Sequence, residues 1–236
     1  MSSCRVRVLL VALAAGLGLA GCGAGGEGGT AATSSAPSAA ASPEPSAAVA
    51  AAEAEAAADP ATVTTPAEAA LATALRAADL PAGWSVQANP VPDGDLSDDP
   101  SLAGICGGAA TAESHRTAKS PVVGVDPTGS PAVSSEAIAY DTAGNAALAL
   151  RELGTAFASC PPGDYTFLPG LTTTGLTADA LVLQYRLADG VSQVVVTQVR
   201  GALLSVLIGE DPDATLTAAQ RIAGRMGQLP APVIGA

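Results

Sequence analysis

Residues 181–208 read LVLQYRLADGVSQVVVTQVRGALLSVLI, and this stretch decides the fold class. Asp189-Gly190 supplies the positive-φ residues a tight hairpin needs, and the β-branched and aliphatic runs beside it, 181–187 and 192–199, read as its two strands. Gly201 then turns the chain into a third strand, 203–208. Val194-Val195-Val196 is continuous where a half-buried strand would alternate. Both faces of the middle strand are therefore expected to be covered, one by a helix and the other by a partner or ligand.

Outward from this meander, 216–226 reads as a closing helix, with Asp213 expected as its N-cap. Upstream, Ala146, Leu150, Leu153 and Phe157 fall on one face of a helix over 143–159, behind an Asp141-Thr142 cap and stopped by Pro161-Pro162. Residues 135–140 alternate like a strand. A first helix is expected over 66–78, capped by Thr65, and 80–86 turns through Pro81-Ala82-Gly83 into a short strand. Residues 89–100 read as an acidic, proline-containing loop. The expectation is an α+β domain, an antiparallel sheet with helices packed on one face.

Of the 236 residues 54 are alanine, so a hydrophobic fraction of 48% comes largely from single methyl groups, and only 3% of residues are aromatic. The net charge of −12 argues against nucleic-acid binding, which needs a basic face to release counterions. All six aromatic residues and the pair Cys106 and Cys160 lie beyond residue 66.

Arg5 and Arg7 precede an uncharged run of 13 residues, 8–20, too short to span a bilayer and fitting a signal-peptide core. The run ends in Leu19-Ala20-Gly21-Cys22, which resembles the lipobox of bacterial lipoproteins. The resemblance implies cleavage before Cys22, a diacylglyceryl group on that thiol, and anchoring to the membrane through lipid on the outer face of the cytoplasmic membrane. Residues 1–22 are then the leader, and the mature chain carries −14. Residues 23–66 hold 17 alanines among 44 residues and no aromatic side chain, so they read as a disordered tether spanning about 35 to 40 Å. The domain is expected over 67–236, with a net charge of −9. With Cys4 in the leader and Cys22 lipidated, Cys106 and Cys160 remain to form one disulfide in an oxidising compartment. Its 54-residue separation corresponds to roughly 4 kcal/mol in the loop-entropy model.

Leu80-Pro81-Ala82-Gly83-Trp84 after a first helix, Cys106 some twenty residues later, an alanine-leucine helix running to Cys160 and a closing valine-rich hairpin form a pattern. It resembles the extracellular sensor domain of actinobacterial serine/threonine kinases of the PknH type, a domain that also occurs on free-standing surface lipoproteins. The resemblance implies an antiparallel sheet flanked by helices and a cleft for an unidentified ligand. Those kinase sensors carry two disulfides, whereas this chain has cysteines for one, and no kinase domain accompanies it.

No catalytic constellation is read in the sequence, and no cofactor or metal is expected. His115 reads as a solvent-exposed histidine, and Lys119, the chain's single lysine, as a loop residue without a role. Asp93, Asp95, Asp98 and Asp99 lack the spacing of an EF-hand and read as a solvated loop. Trp84 is read as the centre of the core rather than as pocket lining. A hydrolase would need carboxylates such as Glu136 or Asp141 brought to Asp164. The leading expectation is a non-enzymatic sensor-like lipoprotein binding a small apolar or amphiphilic ligand. The alternative is a cell-envelope protein–protein or glycan interaction module without a small-molecule pocket.

Overall fold

The computed structural model describes residues 59–88, 101, 106, 108, 110–160 and 165–236. The leader with Cys22, tether residues 23–58, the loop 89–100 with its four aspartates, Pro161-Pro162 and Asp164 lie outside them. In chain order the elements are α1 (Pro66–Thr73), β1 (Ser85–Ala88), β2 (Arg116–Val125), β3 (Pro131–Tyr140), α2 (Ala143–Ala158), β4 (Tyr165–Phe167), β5 (Asp179–Leu187), β6 (Ser192–Arg200), β7 (Leu203–Gly209), α3 (Pro212–Gln228) and α4 (Ala231–Ile234). Short 3-10 turns occupy Pro60–Thr62, Ala77–Asp79 and Thr111–His115.

The hairpin forms where the sequence places it. Gly190 takes φ +89°, and Leu187 and Val191 close the turn with a 2.8 Å backbone hydrogen bond. All strands join one antiparallel sheet of order β1-β2-β3-β7-β6-β5-β4, so the meanders β1–β3 and β4–β7 meet at the β3–β7 pair. Gly201 has φ +55°, and a Cβ there would collide with the Ile234 carbonyl that accepts from Ala202 N at 2.6 Å. The close approach docks α4 on the β6–β7 turn.

Strand alternation sorts the core into two layers. Ile138, Tyr140, Val195, Val199, Leu204 and Val206 face α2, where Ala146, Ala149, Leu153 and Phe157 cover them. Ala137, Ala139, Val194, Val196, Leu203 and Leu207 face the other way, against α1, Ala218, Ala219, Ile222 and Met226 of α3, and Ile234 of α4. Each large aliphatic side chain removed from water contributes about 1.5 to 3 kcal/mol, and both faces of the central strands collect this.

The α+β antiparallel class stands, but the helices lie on both faces of the sheet rather than one. The continuous valine run demands two covered faces, and the chain's own helices supply both. Four further readings are corrected. Pro60 and Val63 are buried, so residues 59–66, assigned to the tether by composition, belong to the folded body. Residues 116–125 form β2, which makes Lys119 a strand residue. Asp211 caps α3 in place of Asp213, accepting from Asp213 N and Ala214 N, because Pro212 has the φ suited to the first helical position. Trp84 packs half-buried at the margin of the α1–α3 layer, while Tyr140 and Tyr185 are the largest fully buried side chains.

Cys106 and Cys160 are bonded, with Cα atoms 4.9 Å apart, and tie the end of α2 to the segment before Thr111–His115. Cys106 keeps a left-handed backbone, φ 46°, a conformation a non-glycine residue holds only where surrounding structure imposes it. Replacing both cysteines with serine is expected to lower unfolding free energy by about 2 to 4 kcal/mol. Urea unfolding of the two proteins measures this, and coincident midpoints would show that the link leaves stability unchanged.

Candidate functional site

Helix α2 packs over β3, β6 and β7 and against the 3-10 turn Thr111–His115. Beside that turn the α2 face of β2 and β3 carries charge instead of methyl groups. In the β2–β3 register Lys119 pairs with Ile138 and Pro121 with Glu136, which sets Lys119 and Glu136 diagonally on one face. Lys119 Nζ lies 3.5 Å from Glu136 Oε1, its side chain only 1% exposed. Burial pushes the Glu136 carboxyl above its ordinary range; Lys119 opposes that shift, and the like charge of Glu113 adds to it.

Glu113, from the 3-10 turn, takes Arg116 Nε at 3.3 Å and accepts Ser101 N at 3.2 Å on the same Oε2. Glu152 of α2 fixes the turn from above: its oxygens accept Thr111 N and Ala112 N, each at 3.1 Å, and the Thr111 hydroxyl. Partial burial raises that carboxyl, but these hydrogen bonds outweigh it and hold Glu152 below the usual range. Glu152 thus clamps the turn that carries Glu113, whose charge reaches Glu136.

Two buried polar atoms in this cluster, Glu113 Oε1 and Tyr140 OH, have no hydrogen-bond partner among the described residues, while the Ser101 side chain hydrogen-bonds to the Glu136 carboxylate. Tyr140 is 1% exposed, and burial, then the charge of Glu113, raises its phenol well above the ordinary tyrosine range. An unsatisfied buried group costs about 1 to 3 kcal/mol, so two together mark a place where a guest with polar groups would gain. The Tyr140 hydroxyl donates and accepts, whereas the Glu113 carboxylate oxygen accepts only.

The other candidates fall elsewhere. His115 is exposed, as expected, with Nδ1 2.9 Å from Asp141 Oδ2; Asp141 also accepts Asn145 Nδ2 at 2.7 Å. The Asn145 bond and then His115 lower the Asp141 carboxyl. Trp84 stands in the opposite layer from Phe157, Tyr165, Phe167 and Tyr185, whose rings gather around Tyr185 with centroids 5.3 to 6.4 Å from it. Among the described residues no three His, Cys, Asp or Glu side chains group as metal ligands, and no helix is long and apolar enough to cross a membrane. The buried cluster escapes sequence reading because its members come from four separate segments. One signal was present: the single lysine opens a run, Ser120 to Val125, that is otherwise uncharged.

No family model matches the chain, and no curated protein matches it. Among solved structures it has a weak similarity to the extracellular domain of PknH from Mycobacterium tuberculosis. The identity is 14% and the TM-score 0.39, with 61% of this chain and 78% of that one covered. At this distance the likeness assigns no residue a role.

Proposed function

We propose that the chain is a non-enzymatic, extracytoplasmic binding lipoprotein, held by lipid on Cys22 and displaying a sensor-like domain that takes a small amphiphilic ligand. The observation that carries the reading is the cluster beside the Thr111–His115 turn, where Glu113 Oε1 and Tyr140 OH are buried without a partner among the described residues. A hydroxyl- or amine-bearing head would satisfy them, while Ile138 and Ala112 offer the apolar surroundings. The titratable groups support a binding role, because Lys119 is paired with Glu136, Arg116 with Glu113 and His115 with Asp141.

Tyr140→Phe tests this without disturbing packing. Removing a hydroxyl that has no partner among the described residues leaves the midpoint of unfolding unchanged or raises it. On the proposed reading the same change strips bound ligand from the full chain, seen in native mass spectra as loss of a heavier species present in the wild type. Wild-type chain that is uniformly ligand-free, from membranes and after incubation with an envelope extract, would overturn the proposal. The rival, an interaction module for an envelope protein or glycan, needs an uncovered surface, and the described residues offer one at the edge of β5.

A further inference from the structure

The charges of the buried cluster beside α2 narrow what it can hold. The β2–β3 register sets Arg116 opposite Tyr140, and Arg116 Nε lies 3.3 Å from Glu113 Oε2, which brings Glu113 and Tyr140 to the same end of the cluster. Glu136, Ile138 and Tyr140 share one face of β3 by strand alternation. Three carboxylates, Glu113, Glu136 and Glu152, and the guanidinium of Arg116 act on the Tyr140 phenol. With Lys119 beside Glu136, these described side chains bring three negative charges against two positive. Both cations already have a carboxylate, and the Thr111–His115 turn engages Glu152. Glu113 Oε1 has no partner among the described residues, and neither has the hydroxyl of Tyr140, a residue 1% exposed.

Hydrogen-bond chemistry sorts the guests this end could take. A carboxylate head brings acceptors to an acceptor, so at Glu113 Oε1 it meets repulsion in place of a bond. A neutral hydroxyl donates to Glu113 and accepts from Tyr140 but leaves the excess negative charge as it was. A primary ammonium donates to Glu113 Oε1 and to the phenol oxygen, and its charge matches the excess where low dielectric makes charge pairing strongest. It also opposes the like-charge effect of Glu113 on Glu136. We propose that the bound amphiphile carries a primary ammonium head, held by Glu113 Oε1 and Tyr140 OH; this rests on the amphiphile-binding reading and specifies its ligand class.

Calorimetric titration of the full chain in nonionic detergent tests the head with methylamine, butylamine, 1-butanol and butyrate. Butylamine is expected to bind at neutral pH, with 1-butanol about tenfold weaker or more, the difference a charge-assisted hydrogen bond supplies. Butyrate is expected not to bind. Glu113→Gln is expected to weaken butylamine about tenfold or more, and Tyr140→Phe, which retains the ring packing, by a smaller factor. Absence of butylamine binding, 1-butanol binding as tightly as butylamine, or butylamine affinity unchanged in either variant would overturn the ammonium head. Those results leave the binding reading standing as long as native mass spectra show the heavier wild-type species, whereas a uniformly ligand-free wild type overturns that reading itself. Methylamine binding as tightly as butylamine would support the ammonium head and overturn the apolar tail.

Discussion

Asp79→Ala is expected to lower the free energy of unfolding by about 3 to 5 kcal/mol, because it strands an arginine whose side chain is only 12% exposed. Asp79 is 3% exposed and holds Arg225 through two bonds, Nη1 to Oδ1 at 2.6 Å and Nη2 to Oδ2 at 2.7 Å. Arg225 Nη2 also donates to Ala74 O at 2.9 Å, and Asp79 Oδ2 accepts Arg76 N at 2.9 Å. One bidentate pair thus fastens the last turns of α3 to the chain leaving α1. Planar two-point geometry makes it far stronger than an exposed ion pair, and the desolvation already incurred makes its one-sided loss severe. A small domain has about 5 to 15 kcal/mol in all, so the variant is expected to be partly unfolded near its physiological temperature. Urea unfolding of the wild type, Asp79→Ala, Arg225→Met and the double variant forms a cycle. The double variant should lose less than the sum of the singles, and additive losses would show that the pair is not coupled.

The contrast between this pair and the hairpin explains what the sequence discloses. Turn residues, caps and strand runs are local: Asp189-Gly190, Thr65 with Glu68 and Thr142 all act within a few residues, and all three sit where their chemistry places them. Asp79 and Arg225 are 146 residues apart, and nothing in either neighbourhood names the other. Strand β2 escaped for a different reason. Lys119 and Pro121 interrupt its apolar pattern, but among the described residues β1 pairs with 122–125, so the missing N–H of Pro121 falls outside that ladder. Lys119 is accommodated by a carboxylate that arrives from β3. Charge inside a strand reads as loop until its partner is known.

That partnership gives the second large effect. Lys119→Met is expected to destabilise the protein by about 3 to 5 kcal/mol near neutral pH, since it leaves Glu136 buried without its cation. The loss should shrink on acidification. Burial already raises Glu136, and removing the lysine takes away the charge that lowers it, so the carboxyl takes up a proton and ceases to need a partner. The sign follows from linkage: with a folded pKa above the unfolded value of 4.5, the folded state holds a proton the unfolded state has lost. This contribution to stability is full below the unfolded value and declines, by up to about 1.4 kcal/mol per pH unit, as pH rises toward the folded one. Glu136→Gln should remove that decline from the stability–pH curve. Lys119→Met with Glu136→Leu should recover most of the loss, because apolar side chains of similar volume replace buried ion pairs at little cost. A double variant as unstable as Lys119→Met alone would show that the pair acts by its charge and not merely by filling space.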